Sequence, residues 1–145
     1  MANLTAPRIV EFVGEQEEIS PKVAASVTYY KGGLLTYDAN GFATKPTDGA
    51  GQFVADIVSG FYEGGDRDDA LAVGTTAKRA MVRRGKVWLP FSGAAQTNVG
   101  EVFYIADDQT LTQTAGTKTI AYHALDFKTG YVLIDLRSSV RIPTA

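Results

Sequence analysis

The sequence predicts an all-β fold: a single compact antiparallel barrel or sandwich with an extended N-terminal arm and little helix. Three observations carry this. From Val27 to Arg137, short runs rich in Val, Ile, Thr, Tyr and Phe are broken by glycine-bearing turns roughly every eight to twelve residues. No segment keeps a helical apolar period for ten residues or more. The chain has 145 residues, 45% of them apolar and 21% charged, enough for one core without a metal or disulfide staple.

The elements follow in order. Arg8-Ile9-Val10-Glu11-Phe12-Val13 suits an extended strand, and Gly14 and Pro21 leave the acidic run Glu15-Gln16-Glu17-Glu18 too short for a stable helix. Residues 1–25 read either as an arm with at most one strand or as the first strand of the main sheet followed by a solvated loop. Residues 26–138 form the β-domain, and 139–145, with Ser138-Ser139 before them and Pro143 near the end, read as a fraying tail. Val27–Tyr30 and Leu34–Tyr37 are β-branched and aromatic, with Lys31-Gly32-Gly33 between them as a bulge or turn. Asn40-Gly41 reverses the chain, and Phe42-Ala43-Thr44 returns as a partner strand.

Gln52 to Phe61 is expected to be central. Phe53, Ala55 and Ile57 share one face, Val54, Asp56 and Val58 the other, and both faces are mostly apolar. Tyr62 to Asp69 reads as a polar, mobile loop. Ala80–Arg83 and Lys86–Phe91 read as two strands flanking a turn at Arg84-Gly85, with Val87, Leu89 and Phe91 opposing Trp88. Ser92 to Asn98 suits one short helical turn. Val102–Ile105, Thr119–His123 and Tyr131–Leu136 complete the set, the last with Val132, Ile134 and Leu136 inward and Asp135 outward.

Composition narrows the function classes. The absence of cysteine excludes disulfides, thiolate catalysis and thiol-based zinc sites. A net charge of -2 disfavours a sequence-independent nucleic-acid binder, which needs a basic excess. No apolar stretch is long enough to span a bilayer, and Met1 to Arg8 lacks the features of a signal peptide. The expectation is synthesis in a cytoplasm, with no membrane partner and no cofactor.

No motif assembles an active site. His123, the single histidine, lies on a strand face with Asp126 three residues on, and no Gly-x-Ser-x-Gly turn presents a nucleophile. Asp66-Arg67-Asp68-Asp69 lacks the ligand spacing of a calcium loop. Glu63, Asp66, Asp107 and Asp108 show no spacing that picks out a glycosidase pair, and Asp107-Asp108 more simply begins a turn. Gly32-Gly33 and Gly49-Ala50-Gly51 match no phosphate-cradling loop. Lys78, Arg79, Arg83, Arg84 and Lys86 form the one basic concentration, and alternation sends Arg83 and Arg84 to opposite faces.

A resemblance enters in the second half. Met81 to Leu89 gives a basic strand followed by an apolar one. Val99-Gly100 then leads into Val102-Phe103-Tyr104-Ile105, and Asp107-Asp108-Gln109-Thr110-Leu111-Thr112 follows. Earlier, Tyr30-Lys31-Gly32-Gly33-Leu34-Leu35 runs through to Asn40-Gly41-Phe42-Ala43. This order, over roughly residues 27–137, resembles the head-decoration (capsid cement) proteins of tailed bacteriophages. Residues 1–26 and the loop from Phe61 to Asp69 depart from that plan. The resemblance implies a non-enzymatic virion protein on the outer surface of the phage head, bridging major capsid subunits and stabilising the shell. It also implies self-association, a trimer by analogy. The contact residues expected are Arg8, Ile9, Val10 and Phe12 of the N-terminal segment, which suit strand addition to a capsid edge, and Tyr62, Asp66 and Arg67 of the long loop.

Two rivals come from other classes. A carbohydrate- or cell-surface-binding module would stack sugars on an exposed row drawn from Tyr29, Tyr30, Trp88 and Tyr104. A hydrolase would need His123 beside a hydroxyl and a carboxylate in a cleft.

Overall fold

The computed structural model describes residues 4, 8–24, 28–37, 41–46, 53–63, 66–68, 73–74, 79–114, 120–137 and 140–141. Asn40 of the Asn40-Gly41 turn, Gly49 to Gly51, Gly64-Gly65, Asp69, Lys78, Ser138-Ser139 and Pro143 lie outside them. The fold is all-β, a sheet curled into a half-barrel, with helix confined among the described residues to one 3-10 turn at Gln96–Asn98.

The strands in chain order begin with β1 (Glu11–Ile19), β2 (Tyr29–Tyr30), β3 (Leu34–Tyr37), β4 (Ala43–Thr44) and β5 (Phe53–Glu63). They continue with β6 (Asp66–Asp68), β7 (Val73–Gly74), β8 (Arg79–Pro90), β9 (Val102–Ile105) and β10 (Leu111–Thr112). Last come β11 (Ile120–Lys128), β12 (Tyr131–Asp135) and β13 (Val140–Arg141). The main path runs β10-β9-β11-β12-β8-β5-β3-β4, and β2 pairs with β7 in a separate ribbon.

β8 organises the molecule. One edge carries β1 along residues 82–88. The other carries β5 along 79–83 and then β12 along 86–90, end to end. The sheet therefore parts at the middle of β8, with β5-β3-β4 leaving one half and β12-β11-β9-β10 the other. Among the described residues two cores result, and alternation along β8 assigns them to opposite faces. Val87 and Leu89 enter the larger core with Ile57, Phe103, Tyr122, Val132, Ile134 and Leu136. Ala80 and Val82 enter the smaller one with Tyr29, Leu35, Ala43 and Val58. Ile57 and Val58, consecutive on β5, face different cores, so β5 is central as its two apolar faces predicted.

Asp56 also lies on β5, wholly buried. A buried carboxylate must be paired. Arg84 Nε and Nη2 donate to its two oxygens at 2.6 and 3.0 Å, and the Tyr37 hydroxyl donates at 2.6 Å. Hydrogen bonding to Asp56 pushes the Arg84 guanidinium further above its ordinary value, while burial and then Asp56 push the Tyr37 phenol up.

Four local expectations are corrected. Arg84-Gly85 is no turn: β8 runs unbroken for 12 residues. Gly85 serves a close approach instead, since a Cβ there would lie 2.9 Å from the Glu15 carbonyl oxygen. Tyr62 to Asp68 is not a plain loop, because β5 extends to Glu63 and pairs with β6. β11 continues to Lys128, five residues past His123, carried by its pairing with β12. Within the expected tail Val140 and Arg141 form a strand, pairing with Ala121 and Ile120.

The N-terminal segment gives the main sheet its first strand, as the second of its two readings has it, but the acidic run is not the solvated loop of that reading: Gln16, Glu17 and Glu18 pair with Gly85, Arg84 and Arg83. Glu11–Ile19 forms the first strand of the main sheet, interrupted where Gly14 (φ 74°) and Glu15 loop out between Val13 and Gln16. Beyond it, Lys22 bridges to Arg79 and Val23 to Ala43. Among the described residues β1 still lies at an edge, paired to β8 and to no other strand.

Candidate functional site

Residues 8–10 cross the open face of the sheet as a strap before β1 begins. Arg8 fixes its far end. The Arg8 N–H donates to the Lys31 carbonyl at 3.0 Å, and Nε donates to the Gly32 carbonyl at 2.8 Å. Nη1 and Nη2 reach the carbonyls of Gln109 and Asp108, both at 3.4 Å. Gly32 permits the crossing: its φ is +87°, and any Cβ would fall 2.2 Å from the Arg8 carbonyl oxygen. A second clip lies nearby, where the Leu4 N–H donates to Asp108 Oδ1 at 2.7 Å. Burial raises the Asp108 carboxyl against that bond, and burial lowers the Arg8 guanidinium against the pull of Asp108 and Asp107.

From this anchor the side chains alternate. Val10 and Phe12 turn inward and pack on the larger core, while Ile9 stands 100% exposed. Between the strap and the β5–β8 floor lies a cavity of about 480 Å³, lined by Val10, Phe12 and Ile57 among apolar groups and by Arg8, Lys31 and Arg83 among charged ones. Among the described residues no aspartate or glutamate lines it. Arg83 is shared with β1, its Nε 3.8 Å from a Glu18 carboxylate oxygen and its Nη1 3.3 Å from Gln16 Oε1.

The expected contact residues fall into two groups. Arg8, Ile9, Val10 and Phe12 line this one cavity. Tyr62, Asp66 and Arg67 belong to the β5–β6 pairing, where Tyr62 lies opposite Arg67 and Glu63 opposite Asp66. Ser59, which also lines the cavity, precedes Tyr62 by three residues, about 10 Å along the strand. Arg8 is largely committed to backbone carbonyls, so it positions the strap, and Ile9 is the side chain that faces outward. Sequence reading missed Lys31, Ile57 and Arg83 as neighbours of the strap. Their meeting depends on a crossing that only the glycine at 32 hints at.

The residues named for other chemistries do not converge among the described part of the chain. His123 is exposed on β11, with Nδ1 3.1 Å from the Gly100 carbonyl oxygen. Asp126 Oδ1 accepts the neighbouring Phe127 N–H. Asp107 accepts the Gln109 N–H, the turn its sequence suggested. No group of three metal-binding side chains forms there. Arg83 and Arg84 do face opposite ways, so the basic concentration is divided. Of the four aromatics, Tyr29 is buried and Tyr30, Trp88 and Tyr104 are half-buried. Lys128 Nζ already covers Trp88 at 4.7 Å and bonds Glu11 at 3.2 Å.

Comparison with family models, with curated proteins and with solved structures finds no match to this chain.

Proposed function

We propose that the protein decorates the outside of an assembled bacteriophage head, binding neighbouring major capsid subunits and stabilising the shell by adhesion rather than catalysis. The observation that carries this reading is the N-terminal stretch. Ile9, Val13 and Ile19 expose apolar side chains along a segment whose strand, β1, pairs on one edge only among the described residues. An edge strand offers unpaired backbone N–H and C=O groups to an incoming chain, and soluble proteins ordinarily cover or charge such edges. Glu11, Glu15, Glu17 and Glu18 supply that charge here, which disfavours pairing between two copies of β1 and leaves the edge to a partner.

A head supplies many equivalent sites. Each contact is modest, but a symmetric oligomer, a trimer in this reading, makes later contacts intramolecular. The protein then belongs to the virion surface after synthesis in the host cytoplasm. The carbohydrate reading gains less support, because the aromatics it needs do not form a solvent-facing row.

The test mixes purified protein with undecorated heads of the phage that encodes it and follows co-sedimentation. Saturable binding is expected, and binding is expected to weaken with Ile9→Asp, which changes stability by less than about 0.5 kcal/mol because the side chain is fully exposed. Absence of saturable binding overturns the proposal.

A further inference from the structure

The cavity beneath the strap has a composition the adhesive role alone does not require. Its walls combine an apolar floor of Val10, Phe12 and Ile57 with three cations, Arg8, Lys31 and Arg83; among the described residues no acid lines it, and the nearest to Arg83 is Glu18 at 3.8 Å. Its size, about 480 Å³, falls in the range that holds a small ligand or one or two side chains. Arg8 and Arg83 are held in place, Arg8 by three carbonyl oxygens and Arg83 by Gln16 and Glu18, so two of the charges are positioned before anything binds. Lys31, exposed in the turn before Gly32, adds a third.

We infer that this cavity receives a partner-chain segment carrying one bulky apolar side chain flanked by aspartate or glutamate. The apolar group fills the floor, and the flanking carboxylates meet Lys31 and Arg83 at the rim. Ile9 argues for a polypeptide over a small molecule. It lines the cavity yet stands fully exposed, so it marks the rim, and a chain crossing that rim covers it together with the floor. The inference rests on the proposed function for the identity of the partner, the capsid subunit, and not for the chemistry of the cavity.

The test uses the full chain, labelled with nitrogen-15, and the peptide acetyl-Glu-Leu-Phe-Glu-amide, with acetyl-Lys-Leu-Phe-Lys-amide and octanoate as comparison arms. The acidic peptide is expected to shift the amides of Lys31, Gly32, Ile57 to Ser59 and Arg83 saturably. The lysine peptide is expected to bind roughly tenfold more weakly, and Lys31→Glu, a turn substitution that spares the sheet, to reverse the preference. Equal response to both peptides, or shifts elsewhere, overturns the inference. Octanoate binding as tightly as the acidic peptide reassigns the site to a free carboxylate and overturns it too. Oligomers of the free chain that Lys31→Glu dissociates would make a second copy the occupant, with the same consequence. Failure of the two ideas is separable. Heads bound equally by wild type and Lys31→Glu, with no peptide binding, remove the cavity assignment alone. Peptide binding without head binding removes the decoration role alone.

Discussion

Asp56 sits in the middle of an apolar strand, and its carboxylate survives burial because Arg84 grips both oxygens while Tyr37 donates a third bond. Removing one partner from such a pair strands the other, so Arg84→Met is expected to lower stability by about 3 kcal/mol, read from urea unfolding. Tyr37 gives a pH signature. Its phenol is raised above the ordinary value of 10.0, so the folded chain stays neutral where the unfolded chain ionises. The stabilisation is complete below about pH 10 and is lost as pH rises above it. Urea midpoints at about pH 9 and about pH 11 are expected to fall more steeply for wild type than for Tyr37→Phe. Much at this scale was legible from alternation: Val87 and Leu89 turn inward and Trp88 outward, and Arg83 and Arg84 part. The Asp56–Arg84 pair was not, because the two residues stand 28 positions apart and nothing local in either strand requires the other.

β1 shows where local signals mislead at the scale of an element. A glycine within a strand pattern marks either a turn or a close backbone approach, and local sequence alone does not separate them. The choice at Gly85 is settled by Glu15, 70 positions earlier, whose carbonyl occupies the space a side chain would need. Gly85→Ala is therefore expected to displace the looped-out residues Gly14 and Glu15, cost about 1–3 kcal/mol and speed proteolysis within Glu11–Ile19. Cleavage at the wild-type rate would show that β1 does not depend on that approach. The extension of β11 and the pairings of β6 and β13 escaped sequence reading for the same reason. Short strands such as β6 and β13, and the far end of β11, are defined by the partner they meet, not by their own pattern. The central placement of β5 was legible, because burial on two faces leaves a continuous apolar run.

At the scale of the molecule, one 12-residue strand divides its partners between two cores and leaves β1 and the strap at the open side. The all-β architecture was readable from turn spacing and strand composition, whereas the cavity was not. It forms where residues near positions 8, 31, 57 and 83 meet, and the strap that closes it is held by hydrogen bonds to loop carbonyls rather than by a strand pattern. The proposed trimer is checked by sedimentation equilibrium of the free protein, which is expected to give a mass of about three times 15.5 kDa. The most direct test of the adhesive role is the disruption temperature of undecorated heads measured with and without saturating protein. A ligand that binds the assembled shell and not its dissociated subunits must raise that temperature, by an amount that grows with free concentration. An unchanged disruption temperature at concentrations that saturate the heads would contradict the account.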